Sequence, residues 1–569
     1  MARILRPWEV LVILTLVLFV VSASAATSEL STRASTPEPV VFEASQQWEG
    51  NDGPWSSFVL QVGTPAQQVR VFISIGGQET WVVLPEGCPA SAPNVNECPD
   101  LRGSLFLTNA STTWESTASI WNNTGLYALG GLVVEALGIS GNGEYGFDTV
   151  STSFNGGDGV TLNHTIVAGI ATPDFYLGQF GVSPRPTNFT VENGNSSSLN
   201  DPQPSFFSLL KSNNIIPSLT YSFTAGSYSR SKSVKNALGS MIFGGYDTSL
   251  NGSSSATFNF AENAGRELVV AVQSITKSGD GASTDLLPNG ILAVLDSSQP
   301  NIWLPLEACT QFENAFGLSW NATSELYMLN STLHDSLVAE NANITFRLGN
   351  TVSGGATVDI VFPYGAFDLT ASWPLSSDSQ PYFPLKRAAN ATQYTLGRTF
   401  FQEAYLIADY ENSNFSLSQR HWDDNAEQNI VPIRLANATS TSSDPTSDSK
   451  GSALSTGAIV GIVVGAVALL CILTVALCIR RRRRRRNSAS TERLDDVDGE
   501  LDTGNETKYH AVELPSDGSQ LVELEPERDR KVELVGDHEH VVEIDGVQRA
   551  AEMDGSGTRR EVYELPGSQ

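Results

Sequence analysis

Two uninterrupted apolar runs frame this chain, and between them hydrophobic residues come only in short bursts. The first run, residues 10–21, follows Arg3 and Arg6 and precedes the small residues Ala23-Ser24-Ala25. A positive start, an apolar centre and a small-residue site predict a signal peptide over residues 1–25, cleaved before Ala26. The second run, residues 457–479, has 23 residues and no charge. As a helix it would extend about 34 Å, enough to cross a bilayer core of about 30 Å. Seven arginines, Arg480 to Arg486, follow at once. Such a cluster stays on the cytoplasmic face, so the pattern predicts a single-pass type I protein with its N-terminal part exported. The long sequence after the span argues against a glycolipid-anchor signal, which ends in its apolar tail.

From about residue 40 to residue 422 the pattern is that of strands. Residues 57–62, 69–73, 81–84, 240–243, 268–275 and 291–295 are β-rich runs divided by Gly, Asn, Pro and Ser clusters. Helical patterning is confined mainly to residues 204–213 and 306–316. The predicted class is therefore all-β. Residues 426–456, rich in Ser, Thr, Asp and Ala, read as a stalk that could carry O-linked sugar.

The strand region contains a repeat. Phe72-Ile73-Ser74 precedes Trp81-Val82-Val83-Leu84-Pro85, and Val294-Leu295-Asp296 precedes Trp303-Leu304-Pro305 at the same spacing. Each half also has a later hydrophobic-glycine step, Leu177-Gly178 and Leu396-Gly397, at similar separations. Two matched pairs suggest duplicated lobes, taken as residues 40–235 and 236–425.

Charge changes this picture when it is divided by compartment. The chain has 34 Lys+Arg against 62 Asp+Glu, a net −28. The tail, residues 487–569, carries −14, the arginine run +7 and the signal peptide +1, which leaves −22 for the exported part. An acidic exterior excludes a nucleic-acid binder, and the arginine run is explained by anionic lipid at the inner membrane face. The exported part carries many N-x-[ST] acceptors, among them Asn109, Asn122, Asn163, Asn188, Asn251, Asn321, Asn330, Asn343, Asn390 and Asn437. That density behind a signal peptide predicts N-glycosylation. Five cysteines in 569 residues exclude a disulfide scaffold. His164, His334 and His421 sit in no triad or zinc motif, and no cofactor or metal signature is present. The tail repeats a short theme, Val512-Glu513-Leu514, Val522-Glu523-Leu524 and Val532-Glu533-Leu534, which could dock an unidentified cytoplasmic partner or be low-complexity drift.

Four segments together carry a family resemblance. They are Val62-Gly63-Thr64-Pro65, Tyr145-Gly146-Phe147-Asp148-Thr149-Val150, Met241-Ile242-Phe243-Gly244-Gly245-Tyr246-Asp247 and Leu396-Gly397-Arg398-Thr399-Phe400. Over residues 50–420 the chain resembles the pepsin-like aspartic peptidases. The resemblance implies two β-lobes, each supplying one catalytic aspartate from an Asp-Thr-Gly loop. The carboxyls share a proton, so one takes a proton from water while the other donates to the scissile carbonyl. It also implies a small first-lobe disulfide, here Cys88–Cys98, and a flap tyrosine. Counting back from Asp148 puts that tyrosine near Ala136, with Tyr127 and Tyr145 as alternatives.

The catalytic loops depart from the family pattern. The first reads Ser74-Ile75-Gly76-Gly77-Gln78 and the second Asp296-Ser297-Ser298-Gln299. Ser74 replaces the first aspartate and Ile75 the threonine. Gly76, Asp296 and Ser297 are retained, and Ser298 replaces glycine. Without a second carboxylate, Asp296 is expected to be ionised at neutral pH and to accept a hydrogen bond from Ser74. Loss of a general acid or base costs about 10²- to 10⁴-fold in rate. The expectation is a cell-surface pepsin-like pseudoprotease that binds peptide or wall material in its cleft. An active acid endopeptidase and a structural surface glycoprotein are the alternatives.

Overall fold

The computed structural model describes residues 36–434, apart from 91–94, 117–125, 131, 155–158, 190–200, 235–236, 280–281 and 424, together with 476–477 and 479–480. The signal peptide, most of the stalk, the arginine run, the tail, Asn122 and Asn437 lie outside these residues, as does nearly all of the apolar run at 457–479. Among the described residues no helix is long and apolar enough to cross a membrane.

Three large sheets make up residues 36–434. The first has eight strands, in the order Ala44–Glu49, Trp55–Val62, Gln67–Ser74, Gly178–Gly181, Thr80–Val83, Thr161–Ile170, Asn142–Ser151 and Leu126–Ala128. A second eight-stranded sheet contains Val269–Gly279, Ile291–Leu295, Thr395–Leu396 and Ile302–Leu304. A six-stranded sheet, including Thr220–Gly226, Leu238–Phe243, Ala404–Asp409 and Asn414–Arg420, draws strands from both halves of the sequence.

Side-chain alternation explains why Gln67–Ser74 sits centrally. Val69, Val71 and Ile73 enter the main hydrophobic core, while Phe72 points to a separate cluster with Trp55, Leu177 and Tyr382. Arg70, on the Phe72 side, reaches Glu49 at 2.8 Å. A strand buried on both faces accounts for a run of apolar residues on alternate and intervening positions.

The repeat is visible in the strand pairing. Gln67–Ser74 lies parallel to Gly178–Gly181, whose other edge takes Thr80–Val83 antiparallel. Ile291–Leu295 lies parallel to Thr395–Leu396, whose other edge takes Ile302–Leu304 antiparallel. The register corrects one sequence pairing. Ser74 faces Gly181, and Leu295 faces Leu396, which sets Asp296 beside Gly397. The counterpart of Gly397 is thus Gly181, not Gly178. Steric demand agrees. A Cβ on Gly181 would meet the Glu79 backbone nitrogen at 2.5 Å, and one on Gly397 would meet the Asn301 carbonyl at 2.2 Å. Glu79 and Asn301 each lie five residues after their loop's first residue.

The helices at Phe206–Ser212 and Leu306–Phe316 match the expected positions. A further helix, Ser331–Glu340, was not anticipated. Only Leu337 on it is buried, so it shows no apolar stripe. Its one sequence signal is Asn330, whose side chain accepts the Leu333 amide at 2.9 Å as an N-cap. Cys88 and Cys98 form the expected disulfide, with Cα atoms 5.8 Å apart. Cys309 is buried as a free thiol, pushed up to about 12 by burial. Asn109, Asn163, Asn188, Asn321, Asn330, Asn343 and Asn390 are exposed. Asn251 is half-buried and accepts a hydrogen bond from Ser418.

Gly181→Ala and Gly397→Ala should each destabilise the domain by about 1–3 kcal/mol, because backbone atoms block the new methyl. Gly279→Ala, whose Cβ would meet nothing nearer than 3.4 Å, is the control. Urea midpoints for the three variants make the comparison.

Candidate active site

Ser74 ends the central strand of one eight-stranded sheet and Asp296 follows the matching strand of the other, and hydrogen bonds between the loops join the two ends. Both residues are buried. Asp296 Oδ1 accepts the Ser298 amide at 3.0 Å, and Oδ2 accepts the Ser298 hydroxyl at 2.5 Å. The Gly76 amide also serves the carboxyl. Ser74 Oγ accepts the Gly77 amide at 3.0 Å. Among the described residues no hydrogen bond links Ser74 to Asp296, which corrects the expectation. Ser298 Oγ, one rotamer away on the same loop, takes the place intended for Ser74.

Burial also acts on the Asp296 carboxyl itself. Burial raises its pKa above the usual carboxylate value, against the lowering effects of Ser298, Arg398 and Gly76. Desolvation does here what a second carboxylate does by repulsion.

The two loops are tied by Ser297. Its hydroxyl donates to the Ile73 carbonyl at 2.6 Å and accepts the Ile75 amide at 3.1 Å. The reciprocal pair would start from residue 75, but Ile75 has no hydroxyl and is buried in the main core. Other cross-links compensate. Gln179 Nε2 donates to the Ser298 carbonyl at 2.9 Å. Arg398 donates to the carbonyls of Ser297 and Ser298 at 3.0 and 3.1 Å. Its guanidinium lies 4.1 Å from the Phe72 ring centre and 3.8 Å from Asp52. Sequence reasoning quoted Arg398 only as part of a motif. The missed signal was a lone charge in the otherwise uncharged segment 388–402, which the structure places in the turn after Thr395–Leu396.

Described residues of one hairpin reach from the first lobe to the second above these loops. A hairpin of Leu126–Ala128 and Asn142–Ser151 carries the short helix Leu132–Ala136 at its tip. Leu137, just past the helix, packs against Val294 and Trp303 of the other lobe. The Ala136 carbonyl accepts from Gln393 Nε2 at 2.9 Å. The space left among Ser74, Gly76, Trp81, Val134, Asp296 and Ser298 is about 10 Å³. That crevice has room for about one water molecule.

Of the flap-tyrosine candidates, Ala136 lies on the tip helix and Tyr127 is half-buried. Tyr145 is buried and donates to Glu79 Oε2 at 2.6 Å, an oxygen that also accepts Trp81 Nε1 at 2.9 Å. Burial raises the Glu79 pKa.

Residues 179–420 match the family model described as eukaryotic aspartyl protease. The chain is 24% identical over 371 residues to Secreted aspartic protease 8 of Candida albicans, covering 65% of this chain and 76% of that protein. It is 23% identical over 394 residues to barrierpepsin of Saccharomyces cerevisiae, covering 64% of this chain and 60% of that protein. Among solved structures, the aspartic proteinase from Irpex lacteus aligns with a TM-score of 0.43 and 15% identity, over 69% of this chain and all of that one.

The histidines have partners elsewhere. His164 stacks on Phe147, His334 Nε2 lies 2.9 Å from Asp368, and His421 contacts the Ser249 carbonyl. Among the described residues no cluster of His, Cys, Asp or Glu could hold a metal ion.

Burial raises the pKa of four carboxyls: Asp52, Glu79, Asp296 and Glu403. Each binds its proton more tightly folded than unfolded. Their stabilisation is present below the ordinary carboxylate range and is lost as pH rises through the raised values. The domain should therefore melt at a higher temperature at pH 4.5 than at pH 7.5. Asp296→Asn and Glu79→Gln should each flatten that difference, and a calorimetric series shows whether they do.

Proposed function

We propose that this chain is a pepsin-like surface protein without peptidase activity, anchored by its apolar run at residues 457–479. Its ectodomain binds peptide or wall-derived material at the cleft. The observation that supports this most is the lone carboxyl at the loop junction. Asp296 has both oxygens bonded within its own loop, and position 74 offers a hydroxyl. A serine hydroxyl is far too weak an acid to act as proton donor to a scissile carbonyl. The general acid–base pair that the family chemistry needs is missing one member, a loss of about 10²- to 10⁴-fold. A structural glycoprotein with no cleft ligand is a second reading, favoured by the closed space above Asp296.

Casein incubated with wild-type ectodomain between pH 3 and pH 6 should stay intact. The variant Ser74→Asp/Ile75→Thr/Ser298→Gly should cleave it at least 100-fold faster, on the scale of a restored acid–base group. That activity should be blocked by pepstatin and lost on adding Asp296→Asn. Wild-type cleavage at the rate of an ordinary secreted aspartic protease would sink the proposal.

Anchoring and glycosylation have their own test. The full chain should stay with membranes through alkaline carbonate extraction and lose mass on treatment with an N-glycosidase. Release by carbonate, or an unchanged mass, counts against that part of the reading.

A further inference from the structure

We propose that residues 134–139 are a built-in occupant of the interlobe cleft, and that a peptide-like ligand binds only after Leu137 leaves its seat between Val294 and Trp303. The inference rests on reading the cleft as a ligand site and names what regulates it.

The segment is held on both sides. Toward its own lobe, the Gly130 amide serves the Tyr145 hydroxyl, which in turn donates to Glu79. A Cβ at Gly130 would stand 3.1 Å from Glu79 Oε1, so the hairpin tip lies close over this pair. Toward the other lobe, the segment offers buried Leu137, with half-buried Ile139 packed against the same cluster, and one backbone carbonyl, that of Ala136. A side chain in an apolar seat beside a carbonyl that accepts a hydrogen bond is also what an extended peptide would present. Val134 meanwhile covers the crevice above Ser74 and Asp296.

The hold is built to be reversible. Leu132–Ala136 is a five-residue helix, too short to persist without its contacts. Between Val134 and Ser140 only Val134 and Leu137 are buried, while Glu135, Gly138 and Ser140 are exposed. Gly138 has φ +75°, and a Cβ there would meet nothing within 4 Å, so the turn after Leu137 is held by its own backbone hydrogen bonds and not by side-chain packing at Gly138. One buried leucine and one hydrogen bond bias the closed state by roughly 30- to 2,000-fold. Apparent ligand affinity falls by the same factor, since only the open fraction can bind.

Fluorescein-labelled pepstatin, a peptide-like probe with aliphatic side chains, tests this by anisotropy on the full-length chain in detergent micelles. Leu137→Ala should bind it at least tenfold more tightly than wild type. Leu137 belongs to the occupant and not to the seat, so the change empties the seat without altering it. Gln393→Ala, which removes only the bond to the Ala136 carbonyl, should tighten binding severalfold and guards against misfolding of the first variant. Equal, weaker or absent binding by both variants, with wild-type circular dichroism, overturns the proposal. Casein cleavage is followed in the same samples. Cleavage by wild type would end the reading as an inactive protein, while anisotropy alone judges the occupant.

Discussion

The hydroxyl of Ser297 is the contact on which the junction of the two loops depends. It is the one side chain of the second loop that bonds the first on both sides of residue 74, at the Ile73 carbonyl and the Ile75 amide. Sheet pairing places each loop within its own lobe, because Gly181 and Gly397 let the crossing strands approach their neighbours closely. Pairing alone leaves buried backbone groups at the loop tips unsatisfied, which is costly. With Ile75 in place of a hydroxyl residue, half of a symmetric tie is exchanged for apolar packing. Gln179 and Arg398 then take up carbonyls of the second loop. The junction is asymmetric: the first loop is held by the core, the second by hydrogen bonds.

Arg398 gives that asymmetry an electrostatic side. A buried guanidinium is expensive unless its donors and charge are met. Here two donors find loop carbonyls, the face lies on Phe72 and Trp55, and Asp52 stands nearby. Burial lowers the Arg398 pKa and raises those of Asp52 and Asp296, so desolvation outweighs mutual attraction for all three. Such a group of charges is better suited to acid, where its carboxyls can be neutral.

Much of this was legible in the chain itself, for definable reasons. Alternation and glycine clusters located the central strands because those strands are short and fully buried. The spacing of Trp81 from Ser74 and of Trp303 from Asp296 identified the loops because the repeat conserves geometry within each lobe. The Gly178 pairing failed because a hydrophobic residue before a glycine recurs at both Leu177 and Phe180, and only register tells them apart. Helix Ser331–Glu340 failed because it buries a single residue. The Ser298 bond to Asp296 and the seat of Leu137 are tertiary facts: no local pattern says that a flap tip reaches Val294, more than 150 residues away in sequence.

The altered loops and the hairpin above them are physically consistent with each other. Two carboxyls sharing a proton carry a net charge and need a solvated, roomy site in which a water and a substrate carbonyl can sit. Apolar side chains such as those of Val134 and Leu137 could not settle over that charge without a large desolvation cost. With Ser74 at the first position, only one carboxyl has to be covered, and burial favours its neutral form. Ser298 supplies the hydroxyl that its outer oxygen would otherwise seek from water, and the remaining 10 Å³ asks for little more. The substitutions at positions 74, 75 and 298 are thus also those that lower the cost of covering the loops with the chain's own residues. Restoring Asp at position 74 would put back a charge that opposes closure, so the chemistry and the occupancy of this site are coupled through the desolvation of a single carboxyl.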